Sequence, residues 1–174
     1  MTEQFRDEIK RAIEYAIADL LEISENSPHE VLPKEGQFRS AMYAYFKHKG
    51  YTAHVEADYP GTRKECDLRV RWGPHEEAWI EVKTVWHAKG WVNKPGLSRL
   101  WEDDVRRLKM APENALRVFV LRGFFDHDPA SKKTSVSERI QGFHPDKRIY
   151  DSGARDFHWP NSPISKLQAW AWLL

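Results

Sequence analysis

Two strand-like runs face each other across a short turn, and they constrain the fold more than any other feature. Residues 65–72 read Glu-Cys-Asp-Leu-Arg-Val-Arg-Trp, and residues 78–84 read Ala-Trp-Ile-Glu-Val-Lys-Thr, with Gly73-Pro74-His75 between them. Asp67 interrupts the first run, and Glu81 and Lys83 interrupt the second. Carboxylates inside apolar segments are costly to bury unless paired or bound to a metal. Side chains alternate along a strand, so Glu81 and Lys83 share a face and Val82 points away. A hairpin centred on Pro74 sets Asp67 opposite Glu81. Any shift by an even number of residues keeps all three groups on one face, and an odd shift scatters them. Opposed like charges destabilise a sheet unless something neutralises them. A hard cation such as Mg²⁺, which prefers oxygen ligands, would do so.

The chain has 174 residues, enough for one domain with a substantial core. No apolar run reaches the roughly 18 residues needed to span a membrane. The start, Met1-Thr2-Glu3-Gln4, lacks the basic-then-apolar pattern of a secretory signal. One cysteine, Cys66, excludes an internal disulfide and fits a reducing, cytoplasmic setting. The net charge of +1 hides an asymmetry. Residues 1–35 hold four Lys/Arg against nine Asp/Glu, residues 36–130 hold 16 against 13, and residues 131–174 hold seven against four. A polyanion would therefore meet the body and tail rather than the first helix.

Apolar residues at helical spacing from Phe5 to Leu21 predict an amphipathic helix over 3–23, with Thr2 as a possible N-cap. A loop follows over 24–34, then a second helix over 36–49 that Gly50 terminates. Residues 51–59 alternate as a strand and turn at Pro60-Gly61. After the hairpin, 87–96 reads as a loop, and Ser98 caps a third helix running to Met110. Residues 116–125 form an apolar strand buried on both faces. Residues 126–155 show little periodicity, and 164–174 reads as a final strand or short helix. The order predicts one α/β (α+β) domain, a mixed central sheet with helices on both faces.

This order and these residues resemble the PD-(D/E)xK nuclease superfamily, whose fold is restriction-endonuclease-like. Asp67 matches the strand acid, Glu81-Val82-Lys83 the acid-x-Lys, and Glu35, leading into Gly36-Gln37-Phe38-Arg39, the helix acid. The resemblance covers 35–125. The helix over 3–23 and the extension 126–174 lie outside it, and Cys66 stands where the family has proline. The resemblance implies a Mg²⁺-dependent nuclease, endo- or exonucleolytic, with Mn²⁺ as a substitute ion. Asp67, Glu81 and the Val82 carbonyl would bind the ion, and Glu35 would assist a second ion or orient water. Lys83 would position the water and offset transition-state charge. Opposite charges favour a lysine's charged form, so Lys83 reads as an electrostatic partner rather than a free base.

Other readings stand beside these. Glu81 and Lys83 can be a surface pair on an edge strand, Asp67 a turn residue, and Glu35 a plain helix N-terminal acid. The segment after the motif interleaves basic and aromatic groups. Lys89 and Lys94 suit phosphates and Trp91 suits an unpaired base, with an ordinary loop as the alternative. Arg63, Lys64, Arg69 and Arg71 form a second basic group, with decoration of the solvent face as the alternative for Arg69 and Arg71. Glu56 and Asp58 share a strand face and could approach the site, but read first as solvated edge residues. Helices at the position of the third helix often line the cleft in this superfamily, which makes Asp104 a candidate supporting residue, with a solvated helix face as the favoured alternative. His127 lacks partners at zinc spacing. The expected partner is nucleic acid, DNA ahead of RNA, with no membrane and with homodimerisation open. The alternative function is an inactive nuclease-fold module that binds nucleic acid or protein.

Overall fold

A computed structural model describes residues 3–26, 35–87, 97–126, 128, 138, 140, 142–159 and 162–174. Helix α1 spans Glu3–Asn26, and it buries Phe5, Ile9, Ala12, Ile13, Ala16, Ile17 and Leu20 along one stripe. It runs three residues past the end expected from its apolar periodicity. Ser24 and Asn26 donate back to the carbonyls of Leu21 and Glu22 and so extend the last turn. Helix α2 spans Glu35–His48, which makes Glu35 its first residue. Gly50, at φ +83°, closes it: Tyr51 N–H reaches the Phe46 carbonyl and Gly50 N–H the Lys47 carbonyl. That reciprocal pair is the Schellman arrangement, which needs a left-handed residue.

The strands are β1 (Thr52–Asp58), β2 (Glu65–Arg71), β3 (Glu77–His87), β4 (Leu116–Phe125), β5 (Arg148–Asp151), β6 (Arg155–Asp156) and β7 (Lys166–Leu173). Helix α3 covers Leu97–Leu108, so Ser98 lies inside it rather than capping it. The strands form a mixed sheet in the order β1-β2-β3-β4-β7-β5, with β6 also on β7. β3 and β4 are parallel, and the other described pairs are antiparallel.

Two apolar layers cover the sheet. One joins α1 and α2 to Leu68, Val70, Ala78, Ile80, Val82, Val118 and Val120. The other joins Trp101 and Leu108 of α3 to Trp79, Phe119, Leu121, Trp170 and Trp172. The protein is thus a mixed α+β structure with helices on both faces of the sheet. Strict alternation explains the partition: even-numbered residues of β3 and β4 face one layer, odd-numbered residues the other.

The described residues after 126 hold more regular structure than the weak periodicity of this stretch suggests. They supply β5 and β6, and β7 is an interior strand buried along most of its length. The run 164–174 is therefore a strand and part of the core. Ladder hydrogen bonds from both neighbours favour the strand over a short helix. His127 and Thr2 lie outside the described residues. Leu167 is fully buried on β7. Its replacement by Ala should lower the unfolding free energy by about 2–5 kcal/mol in denaturant titrations. A loss under about 1 kcal/mol would mean β7 does not belong to the core.

Candidate active site

The hairpin adopts the register centred on Pro74: Arg71 pairs with Glu77, Val70 with Ala78, Arg69 with Trp79 and Leu68 with Ile80. Pairing then stops, although β3 continues to His87 along β4. The strands part at Cys66. Its thiol donates to the Ile80 carbonyl at 3.1 Å, and its side chain joins the α3 layer while Leu68 and Val70 join the other. Alternation therefore breaks at this point, and Asp67 is turned into the gap.

Buried backbone N–H groups must find acceptors. On β3 beyond Ile80, two of them find carboxylates. Val82 N–H donates to Asp67 Oδ2 at 2.8 Å, and Thr84 N–H donates to Glu35 Oε2 at 2.8 Å. The same edge thus carries both acids, one from β2 and one from the start of α2. A strand residue directs its N–H and C=O to one edge, so the Val82 carbonyl lies on this edge as well.

Glu81 and Lys83 point the other way, into the α3 layer. Glu81 is 1% exposed. It accepts from Tyr59 Oη at 2.8 Å and from Arg107 at 3.3 and 3.4 Å. Lys83 Nζ lies 3.4 Å from Asp104 Oδ2, and Asp104 is joined again by Arg107. The surface-pair reading of Glu81 and Lys83 therefore fails. So does the solvated reading of Asp104, which is 3% exposed. On α3, Asp104 falls on the Trp101–Leu108 face, which packs against the sheet.

Asp67 is held from outside by Arg39 of α2, at 3.0 Å, and the same guanidinium reaches Glu56 at 2.9 Å. Glu56, at φ 52°, is an exposed edge residue that pairs with Arg39 at the surface. Behind Glu35, Arg122 of β4 is fully buried and donates to Thr84 Oγ1 at 2.8 Å. Its guanidinium also lies over the rings of Phe38 and Phe124.

Electrostatics follow from burial. Burial pushes Glu81 up to about 7, against the Arg107 and Tyr59 hydrogen bonds, while the nearby Asp67 charge pushes the same way. Glu35 is raised chiefly by burial, with Lys83 and the Thr84 bond opposing. Asp104 is raised by burial, with Lys83 and Arg107 opposing. Burial lowers Arg122 to about 10 while Glu35 opposes the change. Burial also lifts the Cys66 thiol to about 12, which makes it a packing group rather than a nucleophile.

The structure thus gathers Glu35, Asp67, Glu81, Val82 and Lys83 where β2 leaves β3. It brings in Asp104, the candidate on the third helix, and adds Arg39, Tyr59, Arg107 and Arg122, to which the motif gave no pointer. Arg63 and Lys64 are exposed in the β1–β2 turn. Lys64 borders an open groove with Glu65, Asp103, Arg106, Arg107 and Met110. Lys89, Trp91 and Lys94 lie outside the described residues.

The oxygen donors of Glu35, Asp67 and Glu81 suit a hard divalent cation in kind. Among the described residues, no three His, Cys, Asp or Glu side chains converge closely enough to hold a metal as they stand. Arg39 and Arg107 place positive charge at Asp67 and Glu81, where a cation would otherwise balance them. The donor set suits such an ion in its chemistry but not in its present spacing.

No protein-family model matches this chain, and no curated protein matches it significantly. Among the described residues, no helix is long and apolar enough to cross a membrane.

Glu81 also yields a stability prediction. A carboxylate raised from an ordinary 4.5 to about 7 binds its proton more tightly in the folded state. Its contribution is complete below about 4.5 and is lost as pH rises through about 7. Without divalent cations, stability should fall between pH 5 and 8, by up to roughly 3 kcal/mol from this group. Glu81→Gln should flatten that slope in denaturant titrations. An equal slope in the variant would show that Glu81 does not carry the effect.

Proposed function

We propose that this chain is a single-domain, restriction-endonuclease-like, Mg²⁺-dependent nuclease that hydrolyses phosphodiester bonds, with DNA favoured over RNA and Mn²⁺ as a substitute ion. The observation that carries the reading is the pair of acids on the open edge of β3. Asp67 and Glu35 sit on the N–H groups of Val82 and Thr84, flanking Glu81-x-Lys83. In this reading Asp67, Glu81 and the Val82 carbonyl hold the ion, and Glu35 assists. A bound divalent cation supplies an activated water and neutralises charge on phosphate oxygens.

The chain's own groups do the rest. Lys83, anchored by Asp104, offers a fixed positive charge beside the reacting phosphate. Fixed charges aimed at developing negative charge stabilise a transition state more than mobile water does. Tyr59 fixes one oxygen of Glu81 and limits its rotation. Arg63 and Lys64 offer phosphate contacts beside the site. Lys89, Trp91 and Lys94 remain assigned to the nucleic acid on sequence grounds. A cytoplasmic location, and a homodimer where both strands are cut, belong to the same reading.

A second reading has an observation of its own. Arg39 and Arg107 already pair with Asp67 and Glu81, as they would in an inactive module that binds nucleic acid or a protein.

Cleavage of a panel of DNA and RNA substrates with Mg²⁺ or Mn²⁺ separates the two. Wild type should cut, and Asp67→Ala and Lys83→Ala should each lose about 100-fold or more in rate while remaining folded. Folded wild-type protein that cuts nothing with either ion would contradict the nuclease reading and leave the binding module.

A further inference from the structure

On β3, Glu81 and Lys83 are two residues apart. On α3, Asp104 and Arg107 are three apart, one helical turn. The four side chains form a chain of alternating charge: Glu81 to Arg107, Arg107 to Asp104, Asp104 to Lys83.

The links differ in form. Arg107 meets Asp104 closely through one nitrogen, and it meets Glu81 through two, at 3.3 and 3.4 Å, at the long end of the hydrogen-bond range. Two carboxylates therefore hold Arg107, and Asp104 keeps its contact when Glu81 is released. Exposure differs too: the Asp104 and Glu81 side chains are 4% and 1% accessible, and that of Arg107 is 33%. The accessible part of Arg107 lines the groove between α3 and the β1–β2 turn, whose walls carry Lys64 and Arg106 beside Glu65 and Asp103. Guanidinium carries five N–H donors in a planar fork suited to phosphate, so Asp104 can hold one side while another side faces a ligand.

We infer that Arg107, anchored by Asp104, is the resident counter-ion of Glu81, and that it yields this carboxylate to the divalent cation and binds a backbone phosphate of nucleic acid lying in the groove beside α3. The inference rests on the nuclease reading and adds a substrate-binding residue on α3. Asp104 is a positioning residue, holding Arg107 on one side and Lys83 on the other.

Two binding measurements test this without turnover. One is calorimetric titration with Mn²⁺ at about pH 8.5, where Glu81 is ionised. The other is anisotropy of a labelled DNA duplex with Ca²⁺ in place of Mg²⁺. Arg107→Gln removes a cation beside the metal position, so Mn²⁺ affinity should rise about tenfold. Duplex affinity should fall about tenfold as the charge-assisted fork is lost. Arg107→Lys keeps the charge, so Mn²⁺ affinity should stay within about threefold of wild type while duplex affinity still falls.

Opposite signs in the two assays are the signature, because a merely structural role lowers both together. Unchanged or weaker Mn²⁺ binding in Arg107→Gln, or unchanged duplex binding, overturns the inference alone. If Arg107→Gln does not fold, Arg107→Lys decides: weaker duplex binding with Mn²⁺ affinity retained supports the inference, and any other result overturns it. Wild type that binds no Mn²⁺ overturns the nuclease reading and the inference with it.

Discussion

The open edge of β3 beyond Ile80 governs the rest of the site. β4 pairs with β3 along nearly its whole length, but the β2 ladder ends at Leu68. Two N–H groups therefore face a gap in a largely buried region. Leaving a buried donor unsatisfied costs about 1–3 kcal/mol each. Carboxylates from Asp67 and Glu35 fill that need. A gap in the ladder thereby becomes a place where acids from β2 and α2 must gather, next to Glu81 on the strand itself.

Gathered acids need compensation, and the neighbouring elements provide it. α2 brings Arg39 to Asp67, and α3 brings Arg107 to Glu81 and Asp104. Lys83 and the buried Arg122 bear on Glu35. Half-buried Glu35 and buried Glu81 and Asp104 are all shifted toward protonation, so compensation by these bases is incomplete. Such a cluster favours further positive charge, and two of the bases that balance it, Arg39 and Arg107, are partly exposed. Adding a cation while displacing a basic side chain is the direction this imbalance favours.

Much of this was legible in the chain itself. The alternation of the two runs around Pro74 is enough to set the hairpin register, because a slip of one residue would turn Leu68 and Val70 away from their core. The apolar run 116–125 is a strand with those bounds. Arg39 and Arg107 were not legible as partners, because their roles depend on how α2 and α3 dock. An Asp-x-x-Arg pair on a helix looks like a solvent-exposed pair until the packed face is known. Asp104 lies one turn after Trp101 and one turn before Leu108, and that spacing places it on the packed face. Arg122 carried a similar signal: a cation within a strand read as buried on both faces must lie inside. The break at Cys66 was not legible, since strict alternation assigns Cys66 and Leu68 to one layer.

The claim that the acids on the β3 edge form a divalent-cation site is tested most directly by Mn²⁺ binding to the folded protein at about pH 8.5, measured by electron paramagnetic resonance of the free ion. Wild type should bind saturably, and Asp67→Asn should lose most of that affinity while unfolding as cooperatively as wild type. Equal Mn²⁺ binding by the two proteins, or none by wild type, would contradict the account.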